Sequence, residues 1–214
     1  MAAAPAGLSS QREKWLPAQH LVGGRHLSRH YLEAWRDAPL TFDPDQDIDE
    51  RWKTDHYEDI IASDPDGSLF RFAVDRLMRY RFYPPSVMTS VSDFSEEGRW
   101  MRPGDRLVIR VPALNAIGLP LYTVFAMNEI SEVVAEERHA HIAYITTAAH
   151  VERGEWRAAL DWQKDDTLAL QVDVISRTRG DVPLAHPAIV RRLQLRAHNL
   201  GMRHLRQQIL RKSA

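Results

Sequence analysis

The chain has 214 residues, 44% of them hydrophobic, and a formal net charge of −1. That length supports one sizeable core with some chain left over, and the near-zero charge argues against general nucleic-acid binding. There is no cysteine, which excludes disulfides, thiolate chemistry and Cys-based zinc sites and fits a cytoplasmic location.

Residues 1–14 read as a loose tail, without the basic start and apolar run of a secretory signal. Nowhere does the chain hold the run of about 18 apolar residues that a membrane span needs. Leu27 to Ala38 fits a short helix, with Leu27, Tyr31, Ala34 and Trp35 on one side. An acidic loop follows. Its Asp43, Asp45, Asp47 and Asp49 suggest calcium, but Ile48 and Thr54 stand where such a loop needs Gly and Glu. From Asp43 to Asp66 there are ten acids and two bases, whereas from Leu184 onward there are seven bases and no acid. The two segments either attract one another, within one fold or through self-association, or remain two solvated surfaces.

Asp64 to Gly67 make a turn that opens the first strong helix, with Ser68 as a possible cap. Leu69, Ala73, Leu77 and Tyr80 recur at helical spacing, and Pro84 and Pro85 end the segment. The period then changes. Leu107, Ile109 and Val111 share one face of a strand whose Pro112 suggests an edge or a bulge. A long bent strand follows, and turns at Val151–Gly154 and Lys164–Asp166 connect three more. Antiparallel strands at short spacing, with no Gly-rich phosphate loop, argue against a nucleotide-binding doubly wound fold, and no cofactor is expected. The last segment is the longest helix, with Pro187 in its first turn and Ile189, Leu193, Ala197, Leu200 and either His204 or Leu205 as its inward stripe. Gly201 marks a kink or a close contact.

This pattern predicts an α+β fold: a curved antiparallel sheet of about six strands wrapped around a long C-terminal helix. Residues 1–64 form an N-terminal extension of tail, short helix and acidic loop, and residues 65–214 form the main domain. Sheet curvature leaves space beside the helix, which is either filled by side chains or is a ligand cavity.

Tyr144 and Thr146, then His150, Glu152, Gly154 and Glu155, then Ser176 and Arg177 leading into the final helix, carry a resemblance to the domain-of-unknown-function family 1990, also called uncharacterised protein family 0548. Ile145 and Thr178 stand where the family often has Gly and Pro. The resemblance spans about residues 65–210. It implies a START-like helix-grip fold, in which binding of apolar small molecules is common and cyclase or hydrolase activity less so.

The remaining question is the chemistry of "HAHIAYITTAAHVERGEW", residues 139–156. His139 and His141 point the same way in a strand, a spacing that chelates metals, but no acid follows within residues 143–147. Two half-exposed surface histidines explain the pair better, and no metal site is expected. His150, Glu152 and Glu155 bracket the Gly154 turn. There His150 would be a base oriented by Glu155, or the cluster merely holds the turn. Arg177 either points inward to a carboxylate or ligand acid, or outward to solvent. Tyr122, Tyr144, Trp156 and Trp162 are the aromatic candidates. The leading expectation is a binding module for a small apolar or amphipathic molecule, with Tyr122, Tyr144 and Trp156 as walls and His150 and Arg177 at the polar end. The alternatives are a cyclase- or hydrolase-type enzyme using His150 and Glu155, and a structural or protein-interaction module with a filled core.

Overall fold

The computed structural model describes residues 15–20, 24, 26–46, 48–116, 119–182 and 186–213, without the side chains of 114–116 and 119–121. The expected tail and Asp47 lie outside these residues. In chain order the elements are β1 (Ala18–His20), α1 (Leu27–Ala34), β2 (Lys53–Ser63), α2 (Ser68–Met78), β3 (Thr89–Ser92), α3 (Asp93–Glu96), β4 (Arg106–Ala116), β5 (Leu119–Ala135), β6 (His139–Thr146), β7 (Glu152–Trp162), β8 (Thr167–Thr178) and α4 (Pro187–Lys212). Among the described residues the strands form one antiparallel sheet of eight, ordered β2-β8-β7-β6-β5-β4-β3, with β1 pairing to β5 off that path. This curved sheet and its long terminal helix are the helix-grip arrangement that the sequence suggested.

Strand alternation explains the two faces. Tyr144, Trp156 and Val174 are cross-strand partners and point to the helix side, where the main core lies. Ile145, Glu155 and Ile175, each one residue along, are partners on the opposite face. There Ile145 packs with Phe42 and Trp52, and Ile175 lies against them. Nearby, α1 lays Leu32 and Trp35 over Val108, Phe125 and Met127. Residues 26–52 therefore cover much of the outer face. Pro112 does sit beside a register shift, in the β4–β5 pairing.

Two local readings change. The helix α2 is capped by Asp64, not Ser68: the buried Asp64 carboxylate accepts from the backbone N–H of Leu69 at 3.1 Å and of Phe70 at 2.7 Å. Two free helical N–H groups are satisfied by one carboxylate from the turn before the helix. The end of the acidic segment is also no loop. Residues 53–63 are β2, an edge strand paired along its length with β8, so the sheet runs across the 64/65 boundary. Its inward-facing acids meet the basic helix. Asp55 receives both guanidinium nitrogens of Arg191, and Asp59 receives Arg206 at 2.5 Å. The acidic and basic segments thus attract one another within the chain.

The α4 stripe agrees with the predicted one at Leu205, and at Leu193 and Ala197, which face the sheet, but not at Ile189. Its buried residues are Gln194, His198, Gly201, Met202, Leu205 and Ile209, while Ile189 is 60% exposed. Gly201 marks a close contact: a Cβ there would lie 2.2 Å from Cε1 of Phe82. This approach seats the C-terminal half of α4 in the core, with Met202, Leu205 and Ile209 beside α2 residues such as Leu77. No helix among the described residues is long and apolar enough to cross a membrane.

Candidate functional site

Between the sheet and the first half of α4 lies a cavity of about 350 Å³. Its walls are built by the inward alternation of the strands: Ile109 and Val111 from β4, Tyr122, Val124 and Ala126 from β5, Tyr144 from β6, Trp156 from β7 and Val174 from β8. Leu193 and Ala197 of α4 face them. Tyr144 and Trp156 stack with ring centroids 5.1 Å apart and planes 16° from parallel. Phe82 meets Trp156 edge-on at 5.2 Å and Tyr83 at 4.8 Å, which locks the aromatic floor. Burial pushes the Tyr83 and Tyr144 phenols well above the usual tyrosine range, so both stay neutral. Tyr122, on the same wall, donates its hydroxyl to Gln19.

One end is polar. The Glu152 carboxyl is the first inward side chain of β7, on the same face as Trp156 four residues on. Enclosure in protein pushes it up to about 7, against the opposing pull of Arg191 and a hydrogen bond with Ser176. Ser176 in turn accepts from Gln194 Nε2 at 2.8 Å. His150 is 7% exposed, and its Nδ1 accepts the Glu152 backbone N–H at 3.0 Å. That bond places the ring proton on Nε2. Desolvation, with Arg179 nearby, lowers His150 to about 4, so it is neutral at physiological pH. Desolvation lowers His198 to about 4 as well. His198 is 5% exposed and its Nδ1 is buried without a hydrogen-bond partner among the described residues.

The backbone at Gly154 explains how this end is held. A Cβ there would fall 1.9 Å from the Ile175 carbonyl oxygen, so the β7 and β8 backbones meet at this point with no room for a side chain. Thr146 Oγ1 accepts the Gly154 N–H at 2.9 Å and ties the turn to β6.

Of the residues expected at the site, Tyr122, Tyr144, Trp156 and His150 all line the cavity. Arg177 does not. It follows inward-facing Ser176, so alternation sends it to the outer face, where its charge acts on Asp49. Glu155 borders the cavity through its place between Gly154 and Trp156, but its side chain belongs to the outer face. Its carboxylate lies 3.8 Å from Arg157. No His150–Glu155 pair forms, and the base-and-orienter arrangement expected of those two residues is not assembled. The carboxyl that lines the cavity together with His150 is that of Glu152. Trp162 faces inward like Trp156 but packs on Phe70 and under the Arg138 guanidinium, away from the cavity.

The paired histidines belong to the outer face. His139 bonds Asp161 at 2.7 Å and His141 at 2.9 Å, and His141 Nε2 lies 3.1 Å from Glu132. The described residues hold no group of three or more His, Asp or Glu placed to bind a metal ion. Sequence reasoning missed Gln194 and His198 as site residues because polar side chains on a helix normally mark its solvent face.

A family model described as a domain of unknown function, DUF1990, matches residues 39–204. Among solved structures, the chain is similar to Ara h 8.0201, at 14% identity and TM-score 0.46, covering 74% of this chain and 98% of that one. It is similar to ginseng major latex-like protein 151 from Panax ginseng, at 14% identity and TM-score 0.45, with the same coverages. A hypothetical protein from Helicobacter pylori matches at 10% identity and TM-score 0.48, covering 73% of this chain and 86% of that one. No curated protein matches the chain.

Proposed function

The chain belongs to the DUF1990 family, and from that premise we propose that it binds a small apolar or amphipathic molecule between its sheet and its terminal helix. The observation that carries this reading is the cavity itself. At about 350 Å³ it falls in the size range of small-molecule sites, about 300–1,000 Å³. Its walls are aliphatic and aromatic, and its polar groups gather at one end. Apolar walls reward burial of a hydrocarbon body by about 25 cal/mol per Å², and a few convergent polar groups fix its orientation. Native mass spectrometry of the protein purified gently from cells tests the reading. A retained small-molecule mass that Ala197→Phe abolishes is the expected result. Apo protein that also takes up no neutral apolar probe would contradict it.

A second reading, catalysis in the same cavity, is favoured by one observation. Glu152 sits close to neutrality, where a carboxyl serves equally as proton donor and acceptor. In that reading Glu152, not Glu155, exchanges the proton, and the His150 Nε2–H orients the reacting group. Loss of turnover in Glu152→Gln with binding retained would support it, once a substrate is in hand.

A further inference from the structure

Resting on the binding reading, we propose that the cavity selects an amphipathic amine over a neutral or anionic molecule with the same apolar body, its ammonium seated beside the Glu152 carboxylate and the aromatic floor. The charge inventory carries this. Among the described residues, no lysine or arginine lines the cavity. The arginines near its polar end are engaged elsewhere. Arg191 is held by both carboxylate oxygens of Asp55 and by Gln194 Oε1 at 2.8 Å. Arg179 is held by Asp181 and by the carbonyls of Ala148 and His150. An anionic ligand would therefore find no free cation and would be repelled by Glu152.

An ammonium finds three complementary features. Among the described residues Glu152 has one neutral hydrogen-bond partner, Ser176, and no salt-bridged cation, since Arg191 acts on it while held by Asp55, so a ligand charge complements it. Tyr83, Tyr144 and Trp156 line the same space, and the Glu152 charge already bears on both phenols. His198 is a neutral imidazole, buried and without a hydrogen bond among the described residues, able to offer a lone pair. The charged groups acting on Glu152 are Arg191 from α4 and Asp55 from β2, which hold one another, and the phenols that feel its charge are Tyr83 and Tyr144. None supplies an uncommitted positive charge.

The test is displacement of N-phenyl-1-naphthylamine, a neutral fluorescent probe, by octylamine, octanol and octanoate. Octylamine is expected to bind at least about tenfold more tightly than octanol, and octanoate most weakly. Octylamine affinity should rise by about tenfold from pH 6 to pH 8 as Glu152 ionises, while octanol affinity stays flat. In Glu152→Gln, with an unchanged circular dichroism spectrum, the amine preference should fall by about tenfold and lose its pH dependence. Octanoate binding as tightly as octylamine, or an amine preference that ignores both pH and Glu152→Gln, would overturn the proposal while leaving the cavity a binding site. Failure of the probe itself to bind would overturn the binding reading and this proposal with it. If Glu152→Gln does not fold, the pH series on the natural protein decides alone.

Discussion

Tyr144 and Trp156 face one another across β6 and β7 and stack at 5.1 Å, so the pair that closes the core is also the pair that floors the cavity. Trp156 is 2% exposed and is also braced edge-on by Phe82. Truncating it removes a large buried surface and leaves a void that its neighbours cannot fill. Trp156→Ala is expected to cost about 3–5 kcal/mol in urea unfolding. A cost below about 1 kcal/mol would show that the ring is not packed as described.

Gly201 offers a test with the opposite sign to simple propensity. Gly→Ala within an ordinary helix gains about 1 kcal/mol. Here the added Cβ would lie 2.2 Å from Phe82 and 3.0 Å from Tyr83. Gly201→Ala should therefore destabilise by about 1–3 kcal/mol, as overpacking does. A higher melting temperature would contradict the close approach of α4 to the aromatic floor.

The two ion pairs between β2 and α4 should differ in weight. The Asp55 and Arg191 side chains are 12% and 30% exposed, whereas those of Asp59 and Arg206 are 30% and 36%. Removing the acid from the more enclosed pair strands a guanidinium. Asp55→Ala should cost about 1–3 kcal/mol and Asp59→Ala less than about 1 kcal/mol. Parallel urea titrations at low and high salt check both, and equal costs would count against the assigned burial.

Acid titration of stability follows from the groups at the polar end. His150 and His198 are lowered from 6.5 to about 4. The unfolded chain therefore takes up their protons first, and stability falls as pH drops below about 6.5, with about 3 kcal/mol per histidine lost by pH 4. Glu152 has the opposite sign. It is raised from 4.5 to about 7, so its contribution is present below pH 4.5 and disappears as pH rises through 7. Glu152→Gln removes that penalty. The variant should be more stable than the natural protein by about 3 kcal/mol at pH 8 and by less than about 1 kcal/mol at pH 5. Unfolding curves at the two pH values measure the difference, and a gain that does not shrink with acidification would contradict the burial of Glu152.

Most of the architecture was legible because the two hydrophobic periods are clean in α2 and in β4 to β8. What was not legible depends on polar groups that point inward. The strand β2 reads as an acidic segment because Asp55 and Asp59 occupy its inward positions, and only the arginines of α4 make that tolerable. On α4 the expected stripe holds at Leu193, Ala197 and Leu205 but omits Gln194 and His198 for the same reason, since these polar residues line the cavity as well. Glu155 and Arg177 read as site residues because they adjoin the Gly154 turn and Ser176 in sequence. A shift of one residue along a strand reverses the face, and the pairing of Gly154 with Ser176 puts both of those side chains outside.

The most direct test of the account is titration of the protein with N-phenyl-1-naphthylamine beside its Ala197→Phe variant. Ala197 lines the cavity from α4 and packs against the core, so a phenyl ring there fills the space. Saturable binding of one probe per chain, lost in a variant that still unfolds cooperatively, is the predicted result. Binding that persists unchanged in folded Ala197→Phe, or that never saturates in the natural protein, would contradict it.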